Sequence, residues 1–299
     1  MTHPRSVSTR VVNTTEPVIQ GIDHLIVMSA DLDRSETRWR SLGFATTPRG
    51  FHDSGGTANH LIILQRTYLE LLGLVTPGQE SPYRALMSGT PGLWGIALKG
   101  SADAAYRLWS SLGLEVAAPA NLSRPVLIGG RSERAQFRIT MLARAPGLPF
   151  PLFCCEHLTP QFVWEPGRAT HPNGATSLRE VILTAGSAPL RRQLERIFDI
   201  APAPGDSRTN TILTGETRIT FLDEGDFRRR FGQVAAPPTG AGPPIAAISL
   251  ESVNLAAARA AAQAAGNAVT ATEGDGFIEA LADEGVVLEW VPARIRNRE

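Results

Sequence analysis

Cysteine is almost absent from this chain, and the two that occur, Cys154 and Cys155, are adjacent. Neighbours on a strand point to opposite faces, so a disulfide framework is excluded and two buried thiols are expected. Long apolar runs are missing too. No stretch approaches the roughly 20 residues of a membrane span, and Met1-Thr2-His3-Pro4-Arg5-Ser6 has no apolar signal-peptide core. A soluble, cytoplasmic protein with no membrane partner is therefore expected. Neither sign of charge is in excess: 29 basic and 29 acidic residues give a formal net charge of +0, which argues against nucleic acid as a partner. There is no Gly-x-Ser-x-Gly elbow, no dinucleotide fingerprint after a strand and no phosphate-binding loop.

What is present is a repeated order of elements. The chain has 299 residues, 42% of them hydrophobic, enough for one large or two medium cores. Residues 1–16 are polar and aperiodic and are expected to form a disordered tail. A strand is predicted over 21–29. Asp31 then caps a helix that runs to Leu42, and Gly43 ends it with a left-handed cap. A strand over 44–47, a Gly-rich connection over 48–59 and strands over 60–65 and 68–74 complete the unit. The order recurs: a strand over 93–99, a helix capped by Ser101 and ended by Gly113, and strands over 114–117, 135–143 and 152–157. Trp39-Arg40-Ser41-Leu42-Gly43 and Trp109-Ser110-Ser111-Leu112-Gly113 share Trp, Ser, Leu and Gly at matching places, so two copies of one supersecondary unit are expected to pack together.

A Pro/Gly-rich linker over 159–176 separates this domain, 17–158, from a second and more divergent one over 177–293, which is followed by a tail over 294–299. In the second domain a strand over 178–184 precedes a helix capped by Ser187 and a strand pair over 211–214 and 218–222. After a bridge at 235–244 come a strand over 245–250, a helix from Asn254 to Gly266, and a hairpin of 277–282 with 285–291. Trp39 and Trp109 read as core. His171 reads as an exposed linker residue, and Arg191-Arg192 and Arg228-Arg229-Arg230 as solvated faces.

Two residues stand out. His24 lies in Ile22-Asp23-His24-Leu25-Ile26-Val27, and Glu70 in Tyr68-Leu69-Glu70-Leu71-Leu72. An ionisable group inside an apolar strand is costly to bury unless it is paired or bound to a metal. Imidazole plus carboxylate suits a first-row divalent cation; without a metal the same pair is a general acid and base. His52 lies on the Gly-rich loop, where binding residues often sit. Only one of Asn59 and His60 can face the same side as Glu70.

The segments Gly21-Ile22-Asp23-His24-Leu25, Leu42-Gly43-Phe44, His52 to Gly56-Thr57-Ala58-Asn59, and Tyr68-Leu69-Glu70-Leu71 occur in this order. In them the chain resembles the vicinal oxygen chelate superfamily, in particular its glyoxalase-like branch. The resemblance implies an α+β fold of tandem βαβββ modules forming curled mixed sheets, four modules in two glyoxalase-like domains. It also implies a small-molecule ligand and a divalent metal (zinc, manganese, nickel or iron) in the hollow between paired modules, in a monomer or homodimer.

Metal ligands in such proteins come from the first and last strands of each module. His24 and Glu70 fall there. In the second module the matching positions are Trp94 or Gly95 and Cys155 or Glu156, with His157 a further option. The expected set is metal on His24, Glu70 and Glu156; Glu70 and His52 as catalytic groups; and Asn59, Thr57 and Tyr68 against substrate. Asn59 is preferred to His60 because it belongs to the family-like motif. Glu180 and Glu289 mark the third and fourth units, but without an evident metal pair, so the second half reads as structural or substrate-shaping. The activity implied is that of a metal-dependent lyase or isomerase; the alternatives are a metal-free sequestering protein and an extradiol dioxygenase.

Overall fold

The computed structural model describes residues 17–52, 56–74, 91–144, 148–184, 188–200, 210–235, 245–272 and 274–294. The expected tails, Gly55 and the Ser187 cap lie wholly or largely outside these residues.

The first module is β1 (Ile19–Ser29), α1 (Leu32–Ser41), β2 (Gly50–Phe51), β3 (Thr57–Ile63) and β4 (Tyr68–Leu74). Asp31 accepts hydrogen bonds from the N–H groups of Asp33 and Arg34, both at 3.1 Å, and so satisfies the free end of α1. Gly43 takes φ +80° beyond its end, as a left-handed cap requires. The strand expected at 44–47 is absent. Phe44 and Thr47 turn inward there, Thr47 bonding Leu61 of β3 through its N–H and hydroxyl without forming a ladder, and β2 forms three residues further on, inside what read as a loop.

The second module is β5 (Gly92–Gly100), α2 (Ala102–Ser111), β6 (Glu115–Val116), β7 (Ala120–Ile128), β8 (Arg131–Arg144) and β9 (Leu152–His157). β7 was not expected. It pairs along its whole length with β8 across Gly129-Gly130, whose φ values of +55° and +80° make the tight turn. Pro125 is tolerated because β7 hydrogen-bonds on one side only.

The third module is β10 (Ala175–Leu183), α3 (Ala188–Ile197), β11 (Thr211–Thr214), β12 (Thr217–Phe221) and α4 (Glu224–Phe231). The fourth is β13 (Ile245–Ser252), α5 (Leu255–Ala264), β14 (Val269–Ala271), β15 (Phe277–Leu281) and β16 (Val286–Pro292). In each module the first and last long strands are parallel neighbours: β1 with β4, β5 with β9, β10 with β12, and β13 with β16. The α+β architecture is the one the resemblance implied; the order βαβββ is complete in the first and fourth modules, while the second has four strands after its helix and the third has two strands and then α4.

First strands also pair across modules, and the two halves repeat that pairing residue for residue. In β1·β5, Ile22 faces Leu98 and His24 faces Ala97. In β10·β13, Leu178 faces Leu250 and Glu180 faces Ser249. The register slips at three places in each pair, and at corresponding residues. One slip leaves Asp23 as the extra residue of a bulge, and Arg179 at the same place in the other half. A bulge re-aims a side chain, and the site depends on that at Asp23.

The halves are joined by Ile245 pairing with Leu93 and by helix packing across them. Trp109 on α2 donates its indole N–H to the Ile197 carbonyl at the end of α3, at 2.9 Å. Arg38 on α1 donates to the Ala265 carbonyl after α5, at 3.1 Å. Trp39, Trp109, Phe198 and Trp290, all fully buried, lie in one apolar core that runs through both halves.

Two expectations about polar residues are corrected here. His171 is not exposed: it is 6% accessible, Nδ1 accepts from the Ala45 N–H at 3.0 Å and Nε2 donates to the Ile63 carbonyl at 2.8 Å. Burial holds its pKa below the usual imidazole value. Arg230 is not a solvated residue either. On α4 it reaches between Glu180 and Glu289, donating from Nη2 to Glu180 Oε2 at 2.6 Å and Glu289 Oε2 at 2.5 Å. Phe227 and Phe231 on the same helix fill the space beside it with Ile182, Ala247 and Val287. The hollow of the second half is thus occupied by the chain's own helix.

Candidate active site

The first half keeps its hollow open. Its cavity is lined on the β1–β4 side by His24, His52, Asn59 and Glu70, and on the β7–β9 side by Arg124 and Cys155, with Phe137, Phe153 and Leu122 forming apolar wall. His24 and Glu70 therefore converge, because β1 and β4 are parallel neighbours and His24 and Glu70 lie on the same face two pairs apart.

His24 Nε2 and Glu70 Oε2 are 3.5 Å apart. On its other side His24 Nδ1 donates to Asp23 Oδ1 at 2.7 Å. Asp23 is fully buried and also accepts from His157 Nε2, at 3.0 Å. Burial pushes the Asp23 pKa up, but the hydrogen bonds from His157 and His24 outweigh it and hold the carboxyl at about 2. Asp23, ionised, takes up Nδ1, so Nε2 is the ring nitrogen left facing Glu70. A lone pair set against a carboxylate is repulsive unless a proton or a metal ion lies between them.

Glu70 is oriented in turn. Asn59 Nδ2 donates to Glu70 Oε1 at 2.6 Å and lies 3.3 Å from His52 Nε2. His52 Nε2 is 3.6 Å from Glu70 Oε1, and its Nδ1 is 2.7 Å from Thr57 Oγ1. His60, one residue on, faces away and bonds the Thr47 carbonyl at 2.8 Å. Tyr68 stacks under the His24 ring, with centroids 4.3 Å apart. Burial raises its pKa well above the usual value, so the phenol keeps its proton. Of the residues expected against substrate, Asn59 and Tyr68 line the cavity, while the Thr57 hydroxyl is engaged in holding His52.

Glu156 is corrected. It lies one residue beyond Cys155, on the opposite face of β9, and its Oε2 accepts the Ala102 N–H at the start of α2, at 2.9 Å. It caps a helix and does not meet His24 or Glu70. The register also replaces Trp94 and Gly95: the residue paired with His24 is Ala97, and two pairs along the parallel ladder Cys155 stands where Glu70 stands in the first module. Burial pushes the Cys155 thiol well up and Cys154 up to about 12, so both are protonated in the free protein.

Three residues escaped the sequence reading: Asp23, His157 in its role on Asp23, and Arg124. Among the described residues, Asp23, Cys155 and His157 are the trio whose ligand atoms lie within 4.8 Å of one another. Asp23 and, through it, His157 back His24, while Cys155 lines the hollow.

Residues 22–198 match a family described as "Glyoxalase-like domain". No curated protein matches the chain in sequence. Among solved structures, a hypothetical protein from Staphylococcus aureus superposes with a TM-score of 0.62 at 14% identity, over 91% of this chain and 99% of its own. A mutant of 4-hydroxymandelate synthase from Streptomyces coelicolor gives 0.56 at 13%, over 92% of both chains. A xylose isomerase-like TIM barrel/4-hydroxyphenylpyruvate dioxygenase fusion protein gives 0.55 at 15%, over 95% of this chain and 50% of its own. At such identities the likeness is one of fold. With the matched segment covering more than half of its length and containing the whole of the open hollow, this chain belongs to the glyoxalase-like family of the vicinal oxygen chelate superfamily.

Proposed function

We propose that this protein is a metal-dependent lyase or isomerase acting on a small oxygenated substrate in the first hollow. The observation that carries the reading is His24 Nε2 facing the Glu70 carboxylate at 3.5 Å, backed by a buried Asp23. A carboxylate behind a ligating histidine is the usual support of a bound metal. The separation also suits two ligands of one tetrahedral ion, for which bond lengths near 2.1 Å give roughly 3.4 Å between donor atoms.

His24 and Glu70 would hold the ion, and it would supply Lewis-acid polarisation of a substrate carbonyl or enolate oxygen. The chain's own residues do the rest. Thr57 and Asn59 position the His52 ring at the cavity wall, where it would exchange a proton with substrate. Asn59 fixes Glu70 through Oε1 and leaves Oε2 to the site. Phe137, Phe153 and Tyr68 exclude water and strengthen each polar contact.

A second reading, a metal-free ligand-binding protein with a proton shared between His24 and Glu70, is favoured by Ala97 and the protonated Cys155 at the two matching positions. Metal analysis of protein purified without chelators decides between them. The enzyme reading expects close to one divalent ion per chain, lost in His24→Ala with the fold intact. A ratio well below one that zinc, manganese, nickel or iron does not restore rejects it.

A further inference from the structure

β7 is an exposed strand with one inverted position. Of its nine residues the one that is buried is an arginine, Arg124, at 8% accessibility, opposite the small Ala135 of β8. Its guanidinium lines the hollow, yet no hydrogen bond or ion pair joins it to any described residue. Its charge counteracts the burial-driven rise in pKa at Tyr68 and Cys155, which sets it inside the hollow with them. A guanidinium stays protonated throughout the accessible pH range, and one held at a cavity wall with no partner among the described residues favours an anion in the cavity. Its planar fork of donors matches a carboxylate.

A second unmet atom lies beside it. Asn59 Oδ1 is buried without a hydrogen-bond donor. Both groups pass over Gly50: a Cβ there would lie 2.7 Å from Arg124 Nη1 and 2.6 Å from Asn59 Oδ1. Glycine is what lets them reach the cavity together. The hollow thus offers one fixed positive charge and one buried acceptor above an apolar wall.

We propose that Arg124 anchors the carboxylate of a small hydroxy acid whose hydrocarbon body lies on Phe137 and Phe153 and whose hydroxyl donates to Asn59 Oδ1. A single carboxylate is favoured over a phosphate because Glu70 and the ionised Asp23 add negative charge nearby while Arg124 is the one arginine or lysine lining the cavity among the described residues. The inference deepens the reading of the hollow as an active site and rests on it, but not on the metal.

The test uses chelator-treated full-length protein with 2-hydroxy-3-phenylpropanoate, its neutral amide and inorganic phosphate as probes, by calorimetry. The acid is expected to bind about tenfold or more tightly than the amide, and Arg124→Gln to remove that advantage. An amide that binds as well as the acid, an unchanged affinity in Arg124→Gln, or phosphate binding more tightly than the acid overturns the proposal. Arg124→Gln is expected to unfold at the same temperature as wild type, since the guanidinium has no partner among the described residues to lose; a lower midpoint makes the arginine structural and also overturns it. His24→Ala separates this from the metal reading: it is expected to keep the acid-over-amide preference whatever the metal content of the wild type.

Discussion

Replacing Asp23 by asparagine keeps the shape of the side chain and removes its charge. The carboxyl sits at about 2 in the fold against an ordinary value of 3.8. That difference is worth about 2 kcal/mol in favour of the ionised folded state, and Asp23→Asn is expected to cost roughly that amount in urea unfolding at neutral pH. Because the folded pKa is depressed, this stability is fully present above pH 4 and is lost as the pH falls towards 2. The gap between wild type and variant should therefore hold from pH 7 to pH 5 and close below pH 4. A second effect is chemical. The amide presents an N–H, so His24 is pressed to move its proton to Nε2, the atom that faces Glu70. Divalent-metal affinity is expected to fall about 10- to 100-fold, the usual size of such a loss behind a ligating histidine, measured by competition with a chromophoric chelator. A variant as stable as wild type at pH 7, with unchanged metal affinity, would refute the account of Asp23 as the fixed charge behind the site.

Burial also raises the pKa of Glu284, against the hydrogen bond it accepts from Ser35 Oγ at 2.5 Å. A raised folded pKa penalises the fold above that pKa, so Glu284→Gln should unfold at a higher urea concentration than wild type at pH 7 and at the same one near pH 4. Arg230→Met strands Glu180 and Glu289 in the second hollow. It is expected to cost about 3 kcal/mol or more by urea unfolding at pH 7, less at pH 4 as the carboxyls protonate, with much of the loss recovered when both glutamates are also changed to glutamine.

The first module was legible because its residues obey simple periods. Asp31 and Gly43 bound a helix, and Tyr68, Glu70 and Leu72 alternate on one strand that sits beside β1. Alternation left one of Asn59 and His60 to face inward, the family-like motif chose Asn59, and the structure agrees. Asp23 was missed because the bulge at Ile22–His24 breaks that alternation, and bulges leave little trace in composition. Glu156 was misassigned for the complementary reason: a strand-end carboxylate close to α2 gains more from its free N–H groups than from the hollow. β7 was hidden by Pro125 and its polar outer face, although Gly129-Gly130 between Ile128 and Arg131 signalled the hairpin. The helix carrying Arg230 had a signal as well, Asp223 as its cap and Phe227 with Phe231 one turn apart. Gly225 and the run of arginines obscured it.

The matched slips in β1·β5 and β10·β13 have a consequence for how such a chain can change its chemistry. The two chambers share one backbone mould, so what separates them is lining: in one a cavity ringed by His24, Glu70 and Arg124, in the other a short helix whose guanidinium fills the space between two glutamates. Clearing that helix and recasting Glu180 as histidine and Thr220 as glutamate would set the residue pair of the first hollow on the same backbone, at the cost of the apolar contacts that Phe227 and Phe231 make. The chain thus carries a spare seat in a second copy of its own architecture, stoppered by eight residues.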